Sequence, residues 1–221
     1  MGYPHWEYFL ALDADLERAV RFIAPEPANF SAYSLELARL LFGACSEIDV
    51  VAKALCVKLV QESKCENIDD YRTVIVKKYQ KFPTIKAAIP RYGLEFQPWV
   101  NWGSGTNPAW WQSYNKVKHE RTSHFPEANL KNSLDAVAGL FLLCLYYYQP
   151  ALYDHNLLPW PNLFHLHSDH YHDFRMVGKY KLPDFEDSDE WAKKKGVSPL
   201  SPHIPLPTKG AGGEASQSGG V

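Results

Sequence analysis

Apolar side chains recur every three or four residues along most of the chain up to residue 150, which is the spacing of amphipathic helices. The strongest run includes Leu37, Leu41, Ala44 and Ile48 and predicts one helix over residues 31–61. A helix of about 30 residues spans about 45 Å. We therefore expect this helix to be the spine of the fold.

Shorter amphipathic segments lie on both sides of this spine, and prolines mark several of their ends. They predict helices over residues 6–23, 68–79, 108–124 and 126–148. Between residues 82 and 107, prolines and glycines break the periodicity, and only residues 94–96 alternate as a short strand would. The sequence therefore predicts an all-α fold, an antiparallel bundle of four to five helices with a loopy C-terminal extension.

Composition divides the chain into four expected parts. They are an N-terminal helix within residues 1–30 that packs on the bundle, a helical bundle over 31–150, a loop-rich, histidine-containing extension over 151–195 and a disordered tail over 196–221. The tail is rich in proline, serine and glycine and has no apolar periodicity, which is typical of segments that cannot bury a core.

The overall composition excludes several classes of protein. Hydrophobic residues make up 46% and charged residues 22%, which excludes wholesale disorder. With 23 Lys and Arg against 25 Asp and Glu, the net charge of -2 leaves no global basic field, although a local basic patch remains open. The four cysteines form no C-x-x-C pair, the first residues lack a signal-peptide pattern, and the most apolar run, residues 136–148, is too short to span a bilayer. We expect buried free thiols, a cytoplasmic protein and no membrane partner.

A histidine-rich string over residues 165–172 is the first candidate for chemistry. His165, His167, Asp169 and His170 match H-x-H-x-D-H, the metal-binding string of the metallo-β-lactamase fold, but the helical pattern upstream does not fit that fold. Together with His172 these imidazoles could form a local zinc or nickel site, since alternate residues of an extended chain share a face. The competing interpretation, which we favour, is a solvated polar loop that holds no metal.

A second candidate lies on the helix predicted over residues 108–124. Lys118 and Arg121 supply charge that suits phosphate, His119 is a candidate acid or base, and Asn115 stands four residues before it on the same helix face. Trp110, Trp111 and Tyr114 could stack on nucleic-acid bases. In the alternative interpretation these aromatic side chains are buried in the core and the charged ones are simply solvated. Glu47 is the expected opposing carboxylate, paired with Arg121 or Lys118.

Three of these features together resemble a bacterial HEPN-type helical domain. They are the long helix with Ser46-Glu47-Ile48-Asp49, the segment Tyr114-Asn115-x-x-Lys118-His119-x-Arg121 and the Ala/Leu-rich helix that follows. HEPN ribonucleases carry an arginine four to six residues before the histidine, and here Tyr114 occupies the arginine position. The resemblance therefore implies a divergent relative that lacks the ribonuclease motif.

Three functions follow from these candidates. The first, implied by the resemblance, is a non-catalytic HEPN-like module that binds nucleic acid, a nucleotide or a partner protein, in a defence or toxin–antitoxin setting. The second is a metal-independent endoribonuclease in which His119 is the acid or base, Lys118 and Arg121 stabilise the phosphorane charge, and Asn115 or Glu47 orients the groups. The third is a metal-binding protein that uses residues 165–172. No cofactor is expected, and the candidate partners are RNA or a nucleotide, another protein, or a second copy of the chain in a homodimer.

Overall fold

The computed structural model describes residues 2–61, 64–177 and 180–196, with the backbone alone for residues 172–177 and 180–181. The expected tail lies outside the described residues except for Gly196. The described helices are α1 (Pro4–Ala19), α2 (Leu35–Leu59), α3 (Ile68–Lys78), α4 (Val100–Gly103), α5 (Ala109–His119), α6 (Arg121–His124), α7 (Leu130–Tyr147), α8 (Gln149–Tyr153) and α9 (Ser188–Lys194). The described strands are β1 (Ala87–Ile89), β2 (Leu94–Phe96), β3 (His165–Leu166), β4 (Tyr171–Val177) and β5 (Tyr180–Pro183).

Side-chain caps set the start of three main helices. The Ser34 hydroxyl accepts a hydrogen bond from the Leu37 N–H at 3.1 Å, so the spine begins at Leu35, four residues after its predicted start. Asn67 and Asn129 accept in the same way from the first turns of α3 and α7. Capping satisfies backbone donors that have no partner inside the helix. The predicted spine helix is thus confirmed, with shorter ends.

The two longest helices, α2 and α7, run parallel to each other. Near their N-termini, the Ser133 hydroxyl donates to the Leu37 carbonyl at 2.9 Å. Near their C-termini, Lys58 Nζ donates to the Tyr147 carbonyl at 3.1 Å. Two parallel neighbours cannot be joined by a short turn, so residues 60–129 return the chain to the starting end of the bundle. The predicted antiparallel bundle is therefore wrong for this central pair.

The N-terminal helix α1 runs antiparallel to both members of this pair. His5 contacts Glu47 of α2, while Asp15, further along α1, contacts Arg39 near the start of α2. The Cys144 thiol near the end of α7 lies 3.7 Å from the His5 carbonyl. The expected packing of an N-terminal helix on the bundle agrees with these contacts.

Helix α7 is buried on almost every side, as expected for a helix that is apolar all round. Trp99 and Trp110 cross it at Gly139, where an added Cβ would lie 3.3 Å from Trp110 and 3.5 Å from Trp99. The indole N–H of Trp99 donates to the Gly139 carbonyl at 3.1 Å. Much of the high aromatic content therefore serves core packing. All four cysteines are buried, as expected, and none of them forms a disulfide bond.

A small antiparallel sheet makes the fold mostly helical rather than all-α. Strand β1 lies in the centre, with Ala87 opposite Phe96 of β2 on one side and opposite Leu166 of β3 on the other. Strands β4 and β5 form a second, two-stranded sheet. The extension predicted to be loopy thus contains three strands and helix α9. Within the described residues, none of the helices is both long and apolar enough to cross a membrane.

The buried carboxylate of Asp13 fastens the extension to α1. This carboxylate accepts hydrogen bonds from the backbone N–H groups of Asn162, Leu163 and Phe164 at 2.9–3.2 Å. Asp13 is only 2% exposed. Burial raises the pKa of this carboxyl above its usual value, although the three N–H groups act in the opposite direction. The neighbouring Trp6 indole N–H donates to the Pro159 carbonyl at 3.0 Å.

We expect Asp13→Ala to lower the free energy of unfolding by about 3 kcal/mol or more, because it leaves the buried N–H groups of Leu163 and Phe164 and the part-buried N–H of Asn162 without an acceptor. Urea unfolding followed by circular dichroism measures this loss. Asp15→Ala is the matched control, since Asp15 lies in surface ion pairs with Arg18 and Arg39, and its loss should stay below about 1 kcal/mol. Equal effects of the two variants would contradict the anchoring role of Asp13.

Candidate functional site

The helix predicted over residues 108–124 is interrupted at Glu120. Helix α5 ends at His119, and Arg121 begins the separate short helix α6. Glu120 has φ -137° and ψ 59°, outside the helical region, and no glycine or proline signals the break. Asn115 and His119 therefore share one helix, as expected, while Arg121 belongs to the next.

The aromatic side chains of α5 belong to the core. Trp110, Trp111 and Tyr114 are 2%, 7% and 8% exposed. The Trp110 indole N–H donates to the Pro98 carbonyl at 2.9 Å, and the Tyr114 ring meets Phe42 of α2 edge-on at 5.3 Å. They cannot serve as an open platform for stacking bases, so their predicted role as binding residues is wrong. The amphipathic-core alternative describes them correctly.

Lys118, His119 and Arg121 are exposed at the junction of α5 and α6, with Asn115 partly buried beside them. We call the three exposed residues the junction surface. Lys118 Nζ lies 5.5 Å from the Tyr114 ring centroid, and the Arg121 guanidinium lies 5.3 Å from that of Phe125. Within the described chain, neither cation forms an ion pair. No acid among the described residues therefore neutralises either charge, and each lies near an aromatic ring.

Glu127, which the sequence did not single out, organises the other side of this region. Its carboxylate accepts from the Ser113 hydroxyl at 2.6 Å and from Lys116 at 2.9 Å, and it lies 3.5 Å from His124. Burial raises the pKa of Glu127, but the hydrogen bonds from Ser113 and Lys116 outweigh that effect and lower it. Glu127 thus neutralises Lys116 and leaves Lys118 and Arg121 as the open cations of the junction.

Glu47 does not join the junction surface. Its carboxylate lies 2.6 Å from His5 Nδ1, and both side chains are less than one-fifth exposed. The His5 ring meets Tyr147 edge-on at 5.3 Å, and Lys58 Nζ lies 3.5 Å from the centroid of that same Tyr147 ring. The predicted pairing of Glu47 with Arg121 or Lys118 is therefore wrong. The Glu47 carboxylate pairs instead with His5, which lies 42 residues away in the sequence.

The histidine-rich string is engaged by the sheet around it. His167 Nε2 lies 3.0 Å from Glu95, and its Nδ1 accepts from the Asp169 N–H at 3.3 Å. His170 Nε2 accepts from the Lys86 N–H at 2.8 Å. A metal ion needs the imidazole lone pairs that these N–H groups occupy. Among the described side chains, no group of three or more histidine, cysteine or acidic residues could hold a metal ion, and the His172 side chain lies outside them.

A cavity of about 560 Å³ opens beside the same string. Its wall includes His165, His167, Glu95, Ser168 and Tyr171, and apolar residues of the three-stranded sheet form the rest. Lys86 neutralises Glu95 at 3.2 Å, and His167 on the cavity wall lies 3.0 Å from the same carboxylate. The string is thus ordered structure around β3 rather than the solvated loop that we predicted.

Comparison with known proteins gives no match: no protein-family model, no curated protein and no solved structure matches the chain. The resemblance to HEPN proteins therefore stays a prediction.

The partly buried imidazole of His170 makes the stability of the fold depend on pH. Burial, and then the neighbouring His167, lower the pKa of His170 below its usual value of about 6.5. The folded state thus binds fewer protons than the unfolded state between these two pKa values. We expect this contribution to stability to be complete above pH 6.5 and to be lost as the pH falls through the folded-state pKa.

Removing the imidazole tests this dependence. At pH 7.5, His170→Ala should lower the free energy of unfolding by about 1–2 kcal/mol, since the part-buried Lys86 N–H loses its acceptor. At pH 5 the difference from wild type should shrink, because the wild type then bears the cost of protonating His170. His165→Ala, with an exposed ring, is the control and should shift stability by less than about 0.5 kcal/mol at both values. A gap that widens at low pH would contradict the assignment.

Proposed function

We propose that this chain is a non-catalytic, HEPN-like helical module that binds RNA through its phosphates at the junction surface. A defence or toxin–antitoxin setting is part of the same proposal. The observation that carries it is the pair of exposed cations, Lys118 and Arg121, that form no ion pair in the described chain. Phosphate contacts from lysine and arginine dominate the affinity of proteins for nucleic acid.

The aromatic supports of the two cations favour phosphate binding. The Lys118 ammonium lies near the Tyr114 ring and the Arg121 guanidinium near the Phe125 ring, so no acid competes with a phosphate at these contacts. A guanidinium suits bidentate contact with a phosphate, and an ammonium supplies a point charge next to it. Because the chain as a whole carries a net charge of -2, the attraction is local to this surface.

Binding rather than cleavage fits the surroundings of His119. The His119 ring is exposed, and no described side chain donates to it, accepts from it or fixes its orientation. The carboxylate proposed to assist it, Glu47, is held by His5. An efficient acid or base needs a positioned partner and a defined protonation state. The geometry therefore gives the ribonuclease alternative less support than the binding module.

The buried tryptophans shape the expected specificity. Since Trp110 and Trp111 cannot stack on bases, contacts to the sugar-phosphate backbone should supply most of the affinity. Such binding depends steeply on salt and only weakly on sequence.

We expect Lys118→Ala and Arg121→Ala each to weaken the binding of labelled single-stranded RNA. Each should also reduce the slope of log Kd against log salt by about 0.7, because one phosphate contact is lost. Fluorescence anisotropy between about 50 and 200 mM salt measures both quantities. Lys53→Ala, which removes an exposed cation from α2, is the matched control and should leave the slope unchanged. Unchanged slopes in all three variants would refute RNA binding at the junction surface.

Incubating the same RNA in EDTA separates binding from cleavage. Intact RNA with wild-type protein supports the non-catalytic module. Cleavage by wild type but not by His119→Ala would establish the metal-independent ribonuclease in its place. Equal cleavage by both would point to a contaminating nuclease or to another site.

A further inference from the structure

An exposed aromatic side chain, Tyr33, lies next to the junction surface. Tyr33 stands just before Ser34, the N-cap of α2, and its ring meets the Phe125 ring edge-on, with 5.6 Å between the centroids and 83° between the planes. The Arg121 guanidinium lies 5.3 Å from the centroid of the same Phe125 ring. Because both contacts are made to one ring, Tyr33 and Arg121 are close enough for a single bound strand to touch both.

The Tyr33 ring is open to solvent in a way that the aromatic side chains of α5 are not. Tyr33 is 51% exposed, whereas each of the three aromatic residues of α5 is less than one-tenth exposed. The edge-on contact with Phe125 occupies at most one face of the Tyr33 ring. A flat molecule can therefore lie against Tyr33, although it cannot reach the tryptophans that the sequence singled out.

The backbone on which this ring stands is held by the start of α7. Tyr33 forms an antiparallel bridge with Asn129, and the Ala32 carbonyl accepts a hydrogen bond from the Leu130 N–H at 2.9 Å. A ring presented from a fixed backbone loses little conformational freedom when a ligand stacks on it. The structure thus holds Tyr33 ready for such a contact.

An open aromatic ring beside an open cation is the combination with which proteins hold single-stranded nucleic acid. The bases of a single strand stack on aromatic side chains, while lysine and arginine bind the phosphates. In a duplex the bases are stacked on one another inside the helix and present no free face, so only the backbone and groove edges are accessible. The neighbourhood of Arg121 therefore distinguishes the two forms of RNA.

We propose that Tyr33 stacks on an unpaired base of the bound RNA and makes the junction surface selective for single strands. The base lies on the open face of Tyr33 while a phosphate of the same strand binds Arg121. This inference rests on the proposed function, and it adds a residue that determines specificity to the cations that supply affinity.

Tyr33→Ala tests the proposal through two quantities that fluorescence anisotropy measures together. The affinity for labelled oligo(U) should fall by about fivefold or more, because one contact between a base and a ring is lost. The slope of log Kd against log salt should keep its wild-type value, because no phosphate contact is lost. The cation variants Lys118→Ala and Arg121→Ala change this slope, so the two kinds of contact are separable.

Two variants serve as controls. Tyr33→Phe keeps the ring and should bind oligo(U) as wild type does. Trp160→Ala removes a ring of similar exposure, 43%, that meets Trp6 edge-on at 5.9 Å, and it should leave the affinity unchanged. Trp6 lies at the start of α1, at the opposite end of the bundle from Tyr33. If Tyr33→Ala lowers the melting temperature, Tyr33→Leu takes its place, because leucine keeps an apolar contact with Phe125 and offers no ring.

Two further ligands separate the base from the backbone. An abasic oligonucleotide has the sugar-phosphate chain without bases, and it should bind wild type and Tyr33→Ala equally well. A long RNA duplex should also bind both proteins equally well, so the ratio of single-strand to duplex affinity should fall in Tyr33→Ala by the same factor as the affinity for oligo(U).

The proposal is overturned if Tyr33→Ala binds oligo(U) as tightly as wild type, if it weakens the binding of oligo(U) and of the abasic strand equally, or if it changes the salt slope. Reduced slopes in Lys118→Ala and Arg121→Ala together with normal binding by Tyr33→Ala would leave the phosphate site standing and remove this inference alone. If wild-type protein binds no RNA at all, the proposed function and this inference both fail.

Discussion

The parallel contact between α2 and α7 is the constraint on which the other elements depend. Ser133 joins α7 to the start of α2, and Lys58 joins the end of α2 to Tyr147. A parallel pair needs a long return segment, and residues 60–129 provide it. That segment carries α3, two strands of the sheet and α5, so the junction surface exists because the chain must cross back over the core. Trp99 and Trp110 of this return segment pack against α7 at Gly139.

The C-terminal extension contributes buried side chains to the core. The buried carboxylate of Asp13 holds residues 162–164, and this places β3 beside β1. The Lys86 N–H then donates to His170, while His167 reaches Glu95 of β2. Charged and polar groups that look like a metal site in the sequence are thus used to fasten one part of the chain to another. The same chemistry, a lone pair on an imidazole, serves backbone hydrogen bonding here.

Periodicity predicted the helices well because the long ones each present an apolar face that repeats over many turns. It failed at β1, whose three residues Ala87–Ile89 are all buried and too few to show alternation. The break at Glu120 was missed because no glycine or proline marks it. Spacing within one helix also could not reveal that Glu47 meets His5, or that Glu127 reaches back to Ser113 and Lys116, since these contacts arise only from packing between separate segments. The sequence also predicted that Trp110 and Trp111 bind bases, because their ring type suits stacking. Both side chains are buried in the core instead.

Many cations of the described chain have an acid beside them. Lys116 pairs with Glu127, Lys86 with Glu95, and Lys78 with Asp187. Lys118 and Arg121 form no ion pair in the described chain, and each lies near an aromatic ring, as Lys58 does near Tyr147. The proposed phosphate ligand would compensate these two cations, which no acid of the described chain neutralises.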